Sequence, residues 1–242
     1  MGHWMAGATF ATVEHLMAAL AGAGVDNCRV QLSNDEVPIM DGSAREFSSA
    51  LAEKDAVVAI PDSVAQCIKV LKRVEVQAGD GRLVSLQPCS EESAAQQGQL
   101  HISVQVDFGA RIQDGAGGIQ SFEFEKSDFI QTVSAARTFC FYEDIQRMRS
   151  LGMALGGSLD NAVVFQDGLA INPSGLRFVD EVARHKALDV LGDLYLGGAL
   201  AGEYIGLRPG HVLNQSLLRE LFSSSDNFAL SPILNLSEVQ YQ

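Results

Sequence analysis

The stretch DEVARHKALDVLGDLYL, Asp180 to Leu196, sets His185, Asp189 and Asp193 four residues apart in a largely apolar run. At about 100° per residue, a helix here puts Val182, His185, Asp189, Asp193 and Leu196 on one face, with Lys186 at its border. His and Asp at i and i+4 project together within reach of one ion. Imidazole and carboxylate both suit zinc, so HxxxD is a half-site for a metal. The plain alternative is a His–Asp hydrogen bond packed in a core, because such a helix is buried on most sides and its ionisable groups must be partnered.

Two further stretches bear on that choice. In TVEHLMAALAGAGV, Glu14 precedes His15. A ligating histidine beside a glutamate is what metal-assisted hydrolysis requires, one holding the ion and the other taking a proton from water. A bland alternative makes Glu14 a first-turn carboxylate favoured by the helix dipole. In PGHVLN, His211 lies in a Gly-Pro-rich turn. There it either faces solvent or reaches over a site as an imidazolium oriented by Asp193.

The elements that must carry these residues follow from patterning. Thr12–Val25 has helical periodicity, with Thr12 as N-cap and Gly22 and Gly24 as stops. DNCRVQLS alternates like a strand, and the chain turns through Asp41-Gly42 into a second helix near Ser43. From Cys67 to Phe124, strand-like runs alternate with turns: CIKVLKRVEVQAG, GRLVSLQP, QLHISVQVDF and IQSFEFEK. A polar loop is expected over Ser90–Gly98, and a helix after Ser127. GGSLDNAVVFQDGLAINPSGLRF reads as short strands and tight turns, EYIGLRPGH as a strand, and NQSLLRELF as the last helix. The residues after Leu221 show no clear pattern. A faint duplication relates the helix-strand-helix units that begin at His15 and His185, which a pseudo-twofold fold would bring together.

The chain has 242 residues, 47% hydrophobic and 19% charged, with a formal net charge of -13. That is enough for one large or two small domains. An acidic surface disfavours nucleic acid and anionic lipid as partners. No apolar run is long enough to span a membrane, and the N-terminus lacks a signal peptide's basic region. The four cysteines form no CxxC pair, which fits thiols in a reducing cytoplasm.

Taken together, TVEHLMAALAGAGVDN, EVPIMDGSA, ARTF, GGSLDNAVV, GLRFVDEVARHKALDVLGDL and GHVLN resemble the UDP-3-O-acyl-N-acetylglucosamine deacetylase family. The resemblance runs from about Thr12 to Leu221, in the family's order. It implies an α+β fold of two similar domains, each a sheet packed with helices, with the site between the helix layers. Residues 1–66, or these with the strands up to about 110, are then the N-terminal domain, and 67–242 the C-terminal domain, with an acyl-passage insert near 156–178.

The resemblance also implies roles. His15, His185 and Asp189 match zinc ligands, Glu14 the general base, and His211 the acid, with Asp193 its partner. Thr138 matches a hydroxyl that helps hold the oxyanion. Phe139 matches an aromatic on the sugar, Lys186 a lysine at the substrate, and Val163, Val164 and Leu169 a greasy lining for the acyl chain. The implied protein is a cytoplasmic, monomeric zinc deacetylase. It removes acetyl from a UDP-acyl-sugar in the committed step of lipid A synthesis in Gram-negative bacteria. The family carries a longer segment before TVEH than the eleven residues here, and an exposed sheet edge is expected from that. The alternative function is a truncated homologue that binds zinc without turnover.

Overall fold

The computed structural model describes residues 9–60, 63–90, 98–152 and 156–233. The first part holds α1 (Glu14–Gly22) and α2 (Arg45–Leu51). Strands β1 (Gln66–Val70), β2 (Val74–Gln77), β3 (Leu83–Gln87), β4 (Leu100–Asp107) and β5 (Ile119–Glu125) follow. Next come a single turn α3 (Phe129–Thr132), β6 (Phe139–Phe141), α4 (Tyr142–Ser150), β7 (Val163–Gln166) and β8 (Leu169–Ala170). The chain closes with α5 (Glu181–Tyr195), β9 (Leu200–Leu207), α6 (His211–Leu221) and β10 (Phe228–Pro232).

β9 is the hub of the larger sheet. One edge pairs in parallel with β4, from Leu100↔Gly202 to Gln105↔Leu207. The other edge is shared: its start pairs in parallel with β1, and its remainder antiparallel with β3. β5, β2 and β10 extend the sheet beyond β4, β3 and β1. The register follows the pattern of two: Leu100, Ile102, Val104 and Val106 of β4 all turn to the core. α5 lies over β4 and β5, α6 over β2 and β3, and α1 against α5. A smaller sheet, β6-β7-β8, pairs Phe139 with Val163. The α+β arrangement of sheets packed on helices is therefore the one the sequence implies.

α5 is held by burial rather than by its cap, since Asp180 makes no capping bond at its start. Leu188, Leu191 and Leu194 are each at most 1% exposed, and burying such a side chain is worth about 1.5–3 kcal/mol. Gly192 in its interior costs about 1 kcal/mol relative to alanine. The reason for a glycine is spatial: a Cβ there would stand 2.0 Å from the carbonyl oxygen of Glu14. Helix propensity is given up so that the start of α1 can lie against α5.

Several local expectations are corrected. Thr12 is not the N-cap of α1. Val13 occupies that position, while Thr12 sits at φ 58 and donates through Oγ1 to Glu36. Asp26–Ser33 forms no strand, because an alternating run needs a partner for its backbone groups and finds none among the described residues. CIKVLKRVEVQAG is two strands, since β1 and β2 serve different neighbours. α6 starts at His211 rather than Asn214. The patternless tail contains β10, an edge strand ending in Pro232, where no ladder donor is needed. Residues 1–8, 61–62, 153–155 and those after 233, with most of the Ser90–Gly98 loop, lie outside the described residues.

Candidate active site

Three donors meet where α1 faces α5. His15, His185 and Asp189 are buried, and one ligand atom from each lies within 4.8 Å of the others. His15 Nε2 is 3.8 Å and His185 Nε2 is 3.3 Å from Asp189 Oδ1. That carboxylate oxygen is buried with no hydrogen-bond partner among the described residues, and so is His15 Nδ1.

The protonation of His185 is fixed from behind. Its Nδ1 is 3.0 Å from the carbonyl oxygen of Ala136, which can only accept, so Nδ1 carries the proton. Burial lowers the His185 pKa to about 4, against the opposing pull of Asp189, so the ring is neutral near pH 7. Its Nε2 therefore presents a lone pair to Asp189 Oδ1. Two acceptors facing each other in a dry site is a costly arrangement that a cation relieves. The donor set fits a zinc ion: two imidazoles, an ionised carboxylate and a coordination position left over.

Asp189 stays ionised. Burial favours its neutral form, but His185, Lys186, His15 and His211 together hold its pKa below the ordinary value. Lys186 Nζ donates to Asp189 Oδ2 at 2.8 Å and lies 5.6 Å from the Phe139 ring centre. Burial pulls the ammonium pKa down, and Asp189, Asp193 and Glu14 more than offset it. Lys186 thus touches the carboxylate of the donor cluster directly, and its neighbourhood includes Glu14.

One turn further along α5, Asp193 is 3% exposed and meets His211 at the head of α6. His211 Nδ1 is 2.9 Å from Asp193 Oδ2 and 3.1 Å from Oδ1. The Asp193 hydrogen bond raises the His211 pKa to about 9, against partial desolvation. The ring is a cation near pH 7, with Nε2 4.0 Å from Asp189 Oδ2. His211 is therefore not an unpartnered turn histidine, and it lies beside the donor cluster.

Phe139 is set beside this cluster by the segment that carries Ala136, and Thr138 precedes it there. The Thr138 N–H donates to Gly42 and its carbonyl accepts from Val163. The Phe139 ring stands edge-on to His185 at 6.3 Å. Sequence reasoning missed what holds the segment. Arg137 and Glu181, 3% and 1% exposed, form a two-pronged pair through Nε–Oε1 at 2.8 Å and Nη2–Oε2 at 3.1 Å. Glu181 also accepts from the backbone N–H groups of Arg137 and Arg177. A buried Arg–Glu pair 44 residues apart leaves no local signal in the sequence. Val163 and Val164 are buried on β7, whereas Leu169 on β8 is exposed.

Helices supply every titratable group of this centre: a buried His/His/Asp donor set with a neighbouring carboxylate and a His–Asp dyad. Comparison with known proteins agrees with that class. The family model of UDP-3-O-acyl N-acetylglycosamine deacetylase (LpxC) matches residues 2–223. The UDP-3-O-acyl-N-acetylglucosamine deacetylase of Marinobacter nauticus is 41% identical over 221 residues, covering 91% of this chain and 69% of the relative. Those of Hahella chejuensis and Pseudomonas entomophila are each 42% identical over 221 residues. They cover 91% and 89% of this chain, and 70% and 68% of the relatives. The chain belongs to the UDP-3-O-acyl-N-acetylglucosamine deacetylase family. No helix among the described residues is long and apolar enough to cross a membrane.

Proposed function

We propose that the chain is a zinc-dependent deacetylase. It hydrolyses the N-acetyl group of UDP-3-O-acyl-N-acetylglucosamine, releasing acetate in the committed step of lipid A synthesis. The observation that carries this reading is the His15/His185/Asp189 cluster, in which a lone pair and an unpartnered carboxylate oxygen face each other across 3.3 Å. When bound, zinc supplies Lewis acidity for the amide carbonyl and acidifies a water.

The chain's own groups supply the rest. Glu14, beside His15 at the start of α1, takes the proton from the attacking water. Thr138 donates its hydroxyl to the developing oxyanion. His211, charged and held by Asp193, gives its proton to the departing amine. The amine keeps the electrons of the broken C–N bond, and acetate leaves with the water oxygen. Lys186 supplies positive charge at the mouth of an otherwise acidic protein, which an anionic UDP-sugar needs. Phe139 offers a ring face to the sugar, and Val163 and Val164 support it from β7 as part of the acyl wall. The reading places the protein in the cytoplasm, with residues 1–66 and 67–242 as its two units.

The test is acetate release from the acylated UDP-N-acetylglucosamine by protein carrying one equivalent of zinc. Wild type should release acetate. Glu14→Ala should keep its zinc and lose about 10²–10⁴-fold in rate. Folded, zinc-loaded wild type that releases none would overturn the assignment, and full activity in Glu14→Ala would remove Glu14 as base.

A further inference from the structure

Behind the His211–Asp193 dyad the structure holds two more polar side chains with no role so far. We infer that Tyr204 and Asn214 form a buried positioning relay for the dyad: the Tyr204 phenol fixes the Asn214 amide, and that amide holds Asp193 at the angle His211 needs. The inference rests on the proposed deacetylase reading for its kinetic consequence, but not for its geometry.

The polarity of the chain of bonds is determined at every atom. Tyr204 Oη donates to Asn214 Oδ1 at 2.7 Å, and Asn214 Nδ2 donates to Asp193 Oδ2 at 2.7 Å. An amide oxygen and a carboxylate can only accept, so a flipped amide would set two oxygens against each other at Asp193; with Nδ2 committed there, Oδ1 faces Tyr204 and the phenol must donate. Tyr204 and Asn214 are both 0% exposed, so bulk solvent does not compete for either bond. Burial, with Asp193 nearby, pushes the Tyr204 pKa well above its usual value, which keeps the phenol a donor.

The relay joins three elements. Tyr204 lies on β9, the hub strand, where it pairs with Leu86 of β3 and Ile102 of β4. Its ring runs along the sheet over Gly206, two residues on and on the same face. A Cβ at Gly206 would stand 2.8 Å from ring Cε1 and 3.0 Å from Oη. Asn214 follows His211 by three residues on α6, so both side chains leave the helix on one face and converge on Asp193 of α5. His211 itself is 43% exposed in its side chain. An imidazole that open to solvent is aimed only as well as its carboxylate, and the relay ties that carboxylate to the sheet.

The experiment compares zinc-loaded wild type, Asn214→Leu, Tyr204→Phe and the double variant. It measures acetate-release kcat and KM, zinc content, and the Nδ1 proton resonance of His211 in protein with ¹⁵N-labelled histidine. Asn214→Leu should lower kcat about 10–100-fold, as expected for loss of a hydrogen bond to a buried charge, with KM and zinc unchanged. Tyr204→Phe should lower kcat about 2–5-fold, and add nothing once Asn214 is leucine, because it acts through Asn214. The resonance should move in each variant.

Wild-type kcat and an unmoved resonance in folded, zinc-loaded variants would overturn the relay, as would Tyr204→Phe costing the same factor with and without Asn214. If Asn214→Leu fails to fold, Tyr204→Phe decides by the same two readouts. If wild type releases no acetate, the deacetylase reading fails, and the resonance still decides the relay.

Discussion

Asp189 and Asp193 sit one turn apart on α5, each with a histidine beside it, and those two histidines end in opposite charge states. Asp189 lies in a dry cluster where His185 stays neutral, its pKa lowered to about 4 because burial outweighs the neighbouring carboxylate. Asp193 meets a half-exposed His211 and raises its pKa to about 9, because the direct hydrogen bond outweighs the smaller desolvation. The difference is one of hydrogen bonding. His185 spends its N–H on Ala136 and offers Asp189 only a lone pair. His211 spends its Nδ1–H on Asp193 itself. The first pair can share a cation; in the second the histidine is itself the cation.

The sharpest way to break that comparison is to remove one histidine of each kind. His185→Ala should lose metal affinity and, with it, nearly all acetate release, measured as bound zinc per chain and rate. Normal zinc retention there would take His185 out of the ligand set. His211→Ala should keep its zinc while losing about 10²–10⁴-fold in rate. Loss of metal from that variant would mean the two regions are not separate in function.

A smaller effect is expected from the contact that brings the two helices together. Gly192→Ala puts a methyl group against Glu14 backbone, which cannot yield as a flexible side chain would. Overpacking of this kind costs about 1–3 kcal/mol. The separation it forces falls on Glu14 and His15, not on His211 and Asp193. Zinc affinity should therefore drop about 10–100-fold, as when a ligand's support is lost, while the His211 Nδ1 resonance stays in place. An unchanged zinc affinity would show that α1 and α5 have slack at this crossing.

What the sequence makes legible is what repeats locally. HxxxD on one helical face, the Glu14-His15 pair and alternation in β4 are all readable within a few residues. His15 could be joined to His185 only through the faint duplication and the family resemblance, since 170 residues separate them. Gly192 reads as a helix defect until Glu14 is seen against it. Arg137 and Glu181, and Tyr204 and Asn214, are ordinary residues in apolar surroundings whose partners come from other elements. Asp26–Ser33 shows the reverse failure: its alternation is genuine, but a strand is a property of a pair, and the partner is not in the pattern.

The finest test of the comparison is the pH dependence of stability, read as thermal midpoint against pH for chelator-treated protein. His185 is held at about 4 when folded against an ordinary 6.5. Between those values the unfolded chain binds more protons, so stability should rise with pH across that window. His211 is held at about 9, so between 6.5 and 9 the folded chain binds more protons. Its contribution is complete below 6.5 and should be lost as pH climbs through 9. The two histidines thus give slopes of opposite sign. His185→Asn should flatten the acid slope, by roughly 5 °C at its foot. His211→Asn should flatten only the alkaline slope, and by less, because solvent screens a half-exposed ring. Zinc should steepen the acid slope alone, since protons and metal compete for His185 but not for His211. A variant that flattened both slopes would mean the two aspartates act as one coupled site rather than as two.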